Sequence, residues 1–219
     1  MLVIFDCDGV LVDTEPMSND ILLEALAKEG LTLSYEEARE KFVGRSIESI
    51  QKMVENTLGR TLGDRWCDDI RSLTEKAFEE VGVDAIPGVR TQIERLIENN
   101  IPYCVASSGR IGKMHISLGQ AGLLPLLKDV LFSATMVERG KPHPDLFLHA
   151  ARQMGFEPKE CVVIEDSLPG VQAAGAAGMR ALAYIGDPAS DATALQALGA
   201  ELLTTMDELE NRLALSAPA

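Results

Sequence analysis

The sequence predicts an α/β fold, a doubly wound parallel sheet with an inserted α-helical subdomain. Three observations predict it. From residue 87 onward, short apolar runs rich in β-formers alternate with helical patterns, which is the pattern of βαβ units. The first apolar run, Leu2-Val3-Ile4-Phe5, ends in Asp6-Cys7-Asp8-Gly9 and is apolar at every position, as a strand buried on both faces should be. Between residues 14 and 84 there is no strand-like run. That leaves a helical block of roughly 70 residues where a crossover needs about a dozen. The expected division is a core of residues 1–13 and 86–219 and a helical insert of residues 14–85.

Gly9 permits a tight turn after the first strand, where a Cβ is poorly tolerated. A helix follows Asp13-Thr14-Glu15-Pro16, with an apolar stripe through Ile21, Leu22, Ala25 and Leu26 and a stop at Gly30. Ser34 with Glu37 forms a capping box. Ser46 with Ser49 opens a further amphipathic helix through Ile50, Met53, Val54 and Leu58, and a longer one runs from about Asp64 to Val81. Met53 and Trp66 are expected in the core of this insert. Pro87-Gly88 starts the helix Val89 to Glu98, and Tyr103-Cys104-Val105-Ala106 is a strand ending at Ser107-Ser108-Gly109. Met114 to Ala121 reads as helix and Val130-Leu131-Phe132 as strand. Lys141-Pro142-His143-Pro144-Asp145 opens the helix Leu146 to Met154. Cys161 to Ile164 is a strand ending at Glu165-Asp166, Ser167-Leu168-Pro169-Gly170 opens the helix Val171 to Ala177, and Ala181 to Tyr184 is a strand. The tail is mostly helix, with an edge strand near Leu202.

The formal net charge of −14 argues against nucleic acid or an anionic membrane surface as a partner. No apolar run approaches the ~20 residues of a spanning helix. Met1 opens almost directly onto a strand, so no signal peptide is expected and a cytoplasmic protein is. The four cysteines form no C-x-x-C pair and are expected to be reduced core thiols. A monomer acting on a small molecule is expected.

The chemistry lies at the strand ends, because ligands of open parallel sheets bind outside the carboxyl ends of the strands. Asp6 and Asp8, Ser107-Ser108-Gly109, and Glu165-Asp166 all stand there. Four acidic groups converging on one point repel unless a cation joins them. A hard divalent ion, Mg²⁺, holding carboxylates and a substrate phosphate, resolves that. Ser107 and the amides that follow it can donate to phosphate oxygens, and Lys141 can supply a point charge. Each residue has a plainer reading alone: Asp6 and Asp8 in an Asx-type turn, Ser107 and Glu165-Asp166 as helix caps, Lys141 as a solvated lysine. Together they describe a phosphoryl-transfer site.

Phe5-Asp6-Cys7-Asp8-Gly9-Val10, Ala106-Ser107-Ser108-Gly109, Gly140-Lys141-Pro142-His143-Pro144-Asp145 and Ile164-Glu165-Asp166-Ser167 resemble, in order, the four signatures of the haloacid dehalogenase-like superfamily of aspartate-nucleophile phosphatases. The insert resembles the small helical cap of one subgroup. The resemblance implies a Rossmann-like core and a phosphate ester substrate. It makes Asp6 the nucleophile that becomes an aspartyl-phosphate, and Asp8 the general acid and then the base for water. Mg²⁺ would be held by the Asp6 side chain, the Asp8 backbone carbonyl and Asp166, with Glu165 close by. Ser107 and Lys141 would hold the phosphoryl group, with Ser108 and Gly109 beside them. Because the neighbours of Asp8 are acidic, its pKa is expected to be raised.

The cap is expected to contact the leaving group near Glu15, Ser18, Arg45 and Ser46, with Arg45 facing the substrate. The stretch from Lys113-Met114 through Lys141-Pro142 to His149-Ala150-Ala151 resembles bacterial sugar-phosphate phosphatases, and a sugar, sugar-acid or polyol phosphate is the expected substrate. The alternative of a phosphosugar mutase resembling β-phosphoglucomutase lacks support at Ser18 and near Ile47, where that subgroup carries a histidine and an arginine. A non-catalytic phosphometabolite-binding protein is a third alternative, which the intact Asp6 and Asp8 oppose.

Overall fold

The computed structural model describes residues 1–213. The first strand, β1 (Leu2–Phe5), is inaccessible to solvent at all four residues. It leads into a helical block of α1 (Glu15–Lys28), α2 (Tyr35–Phe42), α3 (Ile47–Leu58) and α4 (Trp66–Val81). Then come α5 (Val89–Glu98), β2 (Tyr103–Ser107), α6 (Ile111–Gln120), α7 (Leu124–Leu127), β3 (Leu131–Ser133), α8 (Asp145–Met154) and β4 (Cys161–Glu165). The chain continues through α9 (Leu168–Ala176), β5 (Arg180–Tyr184), α10 (Ala192–Ala197), β6 (Glu201–Leu203) and α11 (Leu209–Arg212).

All six strands are parallel, in the order β3-β2-β1-β4-β5-β6. The strand that opens the chain thus lies between β2 and β4, where the winding reverses. Successive side chains of a strand face opposite sides of the sheet. Val3 and Phe5 pack with α5 and α6 through Val89, Ile93, Met114 and Leu118. Leu2 and Ile4 pack on the other side with α8 and α9 through Leu146, Phe147, Val171 and Ala174. Each fully buried aliphatic or aromatic side chain stabilises the fold by about 1.5–3 kcal/mol. The sheet is therefore doubly wound, as predicted.

Helices α1 to α4 have an apolar cluster of their own, built from Leu22, Leu26, Phe42, Ile50, Val54, Trp66 and Ile70. Trp66 is buried there and Met53 packs against it, as expected. The capping box Ser34–Glu37 forms with both of its bonds, and Ser46 accepts from the Ser49 amide at the start of α3. The connections into and out of this block run side by side. The Asp13 amide donates to the Asp84 carbonyl at 2.9 Å and the Ile86 amide to that of Leu11 at 3.0 Å.

Two helix starts lie earlier than the sequence suggests. The helix read from Met114 begins at Ile111, and the one read from Val171 begins at Leu168. Pro169 sits within the first turn of α9, where it has no amide to lose. All four cysteines are free and buried. Among the described residues no helix is long and apolar enough to cross a membrane.

Candidate active site

The carboxyl ends of β1, β2 and β4 bring Asp6, Ser107 and Glu165 to one end of the sheet. The turn after β1 is closed by the Gly9 amide donating to the Val12 carbonyl at 2.9 Å. Gly9 has φ +77°, and a Cβ there would lie 2.1 Å from Oδ2 of Asp166. The turn and the acid after β4 therefore fit only because this residue is glycine.

Lys141 joins the two strand ends. Its Nζ donates to Asp6 Oδ1 at 2.6 Å and to Glu165 Oε1 at 2.7 Å. Its side chain is 1% exposed and its ammonium lies 5.0 Å from the centre of the Phe147 ring. The reading of Lys141 as a solvated lysine is excluded. Glu165 Oε2 accepts from the Asp166 amide at 2.8 Å, the Ser167 amide at 2.7 Å and the Ser167 hydroxyl at 2.8 Å. Both oxygens of Glu165 are thus taken up by donors of the protein. Ser167, and not Glu165 or Asp166, caps α9. Ser107 does not cap α6 either, since the cap position is Arg110.

Carboxylate oxygens of Asp6, Glu165 and Asp166 lie within 4.8 Å of one another. Burial pushes the Asp6 carboxyl up to about 7, with the charges of Glu165 and Asp8 adding and that of Lys141 opposing. Burial likewise pushes Asp166 well above the usual carboxylate range, with Glu15, Glu165 and Asp6 adding to it. Around this point, among the described residues, the carboxylates of Asp6, Asp8, Glu165 and Asp166 face the lysines Lys141 and Lys113. A divalent cation beside Asp6 and Asp166 neutralises the remainder, so the residues present fit Mg²⁺.

Asp8 departs from expectation. Its side chain is not one of that acid cluster and is grasped by Lys113, whose Nζ lies 2.9 Å from Oδ1 and 2.8 Å from Oδ2. The Thr14 hydroxyl also donates to Oδ1, at 2.5 Å. Burial acts to raise the Asp8 pKa, but the charge and hydrogen bonds of Lys113, with the bond from Thr14, outweigh it and hold the carboxyl below its usual value. The expected upward shift is corrected: the acidic neighbours are there, but a lysine is nearer. The helix read from the sequence begins at Met114 and leaves Lys113 out. With α6 beginning at Ile111, Lys113 lies in its first turn, where a cation opposes the helix dipole.

Ser107 is buried and its Oγ accepts from the Gly109 amide at 2.9 Å. The Gly109 carbonyl accepts from the Ser133 hydroxyl at 2.7 Å. The Gly109 amide, expected to face a phosphate, is engaged inside this turn. The Ser108 hydroxyl donates to the Gly44 carbonyl at 3.1 Å and so joins β2 to the loop between α2 and α3. At Gly44, φ is +75° and a Cβ would meet Ser167 Oγ at 2.2 Å. The loop thus lies directly over the acid cluster.

Between the helical block and the sheet is a cavity of about 200 Å³. Asp6, Asp8, Ser107, Ser108, Gly109 and Asp166 line its floor. Glu15, Ser18, Arg45 and Ser46, the four positions singled out from the sequence, line it from the helical side. Arg45 also donates through Nε to the Lys41 carbonyl at 3.0 Å. Arg39, which the sequence reading passed over, lines the cavity too. It pairs with Glu15 at 3.5 Å and with Asp187 in the loop after β5.

Known proteins share this architecture. The 6-phosphogluconate phosphatase of Escherichia coli K12 is 31% identical over 186 residues, 85% of this chain and 83% of that protein. Hexitol phosphatase A of the same organism is 31% identical over 180 residues, 82% of this chain and 81% of that protein. A crystal structure of a haloacid dehalogenase family hydrolase from Deinococcus radiodurans R1, with bound phosphate and sodium, superposes with a TM-score of 0.76 at 34% identity, covering 100% of this chain and 98% of that one. The family model of haloacid dehalogenase-like hydrolases matches residues 1–178, a span that holds Asp6, Asp8, Ser107, Lys113, Lys141, Glu165 and Asp166. With the sheet order, the strand-end acids and the buried lysine on the page, that match is decisive: the chain belongs to the haloacid dehalogenase-like hydrolases.

Proposed function

We propose that this hydrolase is a Mg²⁺-dependent phosphatase of a small phosphorylated metabolite, a sugar, sugar-acid or polyol phosphate, working through an aspartyl-phosphate on Asp6. The observation that carries the reading is the placement of Asp6. It stands at the reversal point of the sheet, bonded to a buried lysine and converging with Asp166. The names of the two bacterial phosphatases support the substrate class.

The Asp6 and Asp166 carboxylates, with the Asp8 backbone carbonyl, would hold Mg²⁺; Glu165, its oxygens already engaged, holds Lys141 in place. Bound there, the ion would neutralise charge on the phosphoryl oxygens and keep Asp6 ionised. Asp6 attacks phosphorus and the bond to the leaving oxygen breaks, with Asp8, once it has taken up a proton beside the anionic ester, giving that proton to the leaving oxygen. Splitting one displacement into two steps is the gain of the covalent route. Lys141 and the Ser107 hydroxyl hold the phosphoryl oxygens, and Ser108 and Gly109 shape the turn beside them. Water then attacks the aspartyl-phosphate, Asp8 takes its proton, and phosphate leaves. Residues 14–85 act as the cap that roofs the leaving group, with Arg45 facing it.

The test is a panel of sugar, sugar-acid, polyol and glycolate phosphates ranked by kcat/KM, with and without EDTA, alongside Asp6→Asn. A preference for one sugar or polyol ester, lost with EDTA and with Asp6→Asn, is expected. Near-normal turnover by Asp6→Asn removes the nucleophile assignment. A hexose 1-phosphate converted to its isomer without free phosphate would make the protein a mutase.

A further inference from the structure

Lys113 lies outside all four signature stretches, yet its ammonium meets one of the acids assigned to the proposed chemistry. Its ammonium spans the two oxygens of Asp8 at 2.9 and 2.8 Å. The Phe78 ring of α4 covers it with its centre 5.7 Å away. An aspartate carboxyl turns about a broad, roughly two-fold torsion and does not fix its own direction. A lysine across both oxygens, with the Thr14 hydroxyl on one of them, removes that freedom. Stability alone explains the pair poorly. A cation in the first turn of α6 runs against the helix dipole, and a partly buried ion pair is weak support for a fold compared with apolar packing of the same volume.

We propose that Lys113 is a positioning residue for Asp8, holding its carboxylate in line for the proton of the hydrolytic water. The proposal rests on the reading of Asp8 as the base. In that step the water oxygen bonds to phosphorus while the phosphorus–oxygen bond to Asp6 breaks. The bonding pair returns to the Asp6 carboxylate, the water proton passes to Asp8, and inorganic phosphate departs. No further reactant is needed.

The experiment is a double-mutant cycle on the full chain with Mg²⁺ and p-nitrophenyl phosphate. The nitrophenolate leaves without a proton, so its burst reports aspartyl-phosphate formation, and steady turnover reports the water step. The variants are Lys113→Met, Lys113→Gln, Asp8→Ala, and Asp8→Ala combined with each. Lys113→Met should keep the burst rate while steady turnover per burst site falls about tenfold or more, within the range that a general base supplies. In the Asp8→Ala background the same substitution should change turnover by less than about twofold, because Lys113 acts through Asp8. The burst amplitude counts intact sites, so misfolding registers as lost amplitude and is divided out. If Lys113→Met gives no amplitude, Lys113→Gln carries the same comparison. Wild-type turnover in the Lys113 variants, or an equal loss with and without Asp8, overturns the role of Lys113. Wild-type turnover by Asp8→Ala overturns the reading of Asp8 itself, and the positioning role with it.

Discussion

Gly9→Ala separates the integrity of the site from the stability of the fold. At φ +77° an alanine pays the left-handed backbone penalty, about 1–2 kcal/mol. For a chain of this size each kcal/mol lowers Tm by about 2–4 °C, so a fall of a few degrees is expected. The contact cost falls elsewhere. The new Cβ would lie 2.1 Å from Asp166 Oδ2, whereas ordinary contact begins near 3.4 Å, so the oxygen must yield by about 1.3 Å. A displacement near 1 Å at a reacting centre costs about 10²-fold in rate. Turnover of p-nitrophenyl phosphate should therefore drop about a hundredfold, and half-maximal activity should need more Mg²⁺. Gly30→Ala is the control. Its φ is +88° with nothing within 4 Å of the added Cβ, so it should lose a similar amount of stability and no activity. If Gly9→Ala and Gly30→Ala lose stability alike and both keep wild-type turnover, Asp166 is not a metal ligand held by the turn.

Three further outcomes are expected. Lys141→Met leaves Asp6 and Glu165 buried without their shared cation, which should cost about 3–5 kcal/mol in urea unfolding; a loss under about 1 kcal/mol would contradict the buried network. The second concerns pH. Asp6 and Glu15 are each raised to about 7 in the fold, mainly by burial. Between their unfolded values near 4 and about 7 the native state binds more protons than the unfolded chain, so stability falls as pH rises through that window. The metal-free protein should melt higher at pH 5 than at pH 8, and Mg²⁺ should raise the melting temperature more at pH 8. A metal-free melting temperature that climbs across this range, with an equal Mg²⁺ effect at both ends, would show that these acids are not forced together. Third, Ser108→Ala removes the hydroxyl bond to the Gly44 carbonyl, worth about 0.5–1.5 kcal/mol. Amide exchange in residues 42–46 should quicken by about tenfold at most, with the aspartyl-phosphate burst unchanged.

The sequence by itself determined the strands and what stands at their ends. Apolar runs such as Leu2–Phe5 and Cys161–Ile164, bounded by turn residues, read as strands buried on both faces, and an acid directly after such a run stands at the carboxyl end of its strand. The helical insert was equally legible, because seventy-odd residues carried the helical period and no strand period. The tertiary structure alone decided which strand lies in the middle of the sheet, and hence that Asp6 stands between Ser107 and Glu165. It alone decided which lysine meets which acid. Lys113 and Asp8 are 105 positions apart and Lys141 and Asp6 are 135. Local pattern records the burial of a side chain, whereas the partner that sets its charge is chosen by how distant elements pack. That is why the acids at the strand ends could be named beforehand and the direction of the Asp8 shift could not.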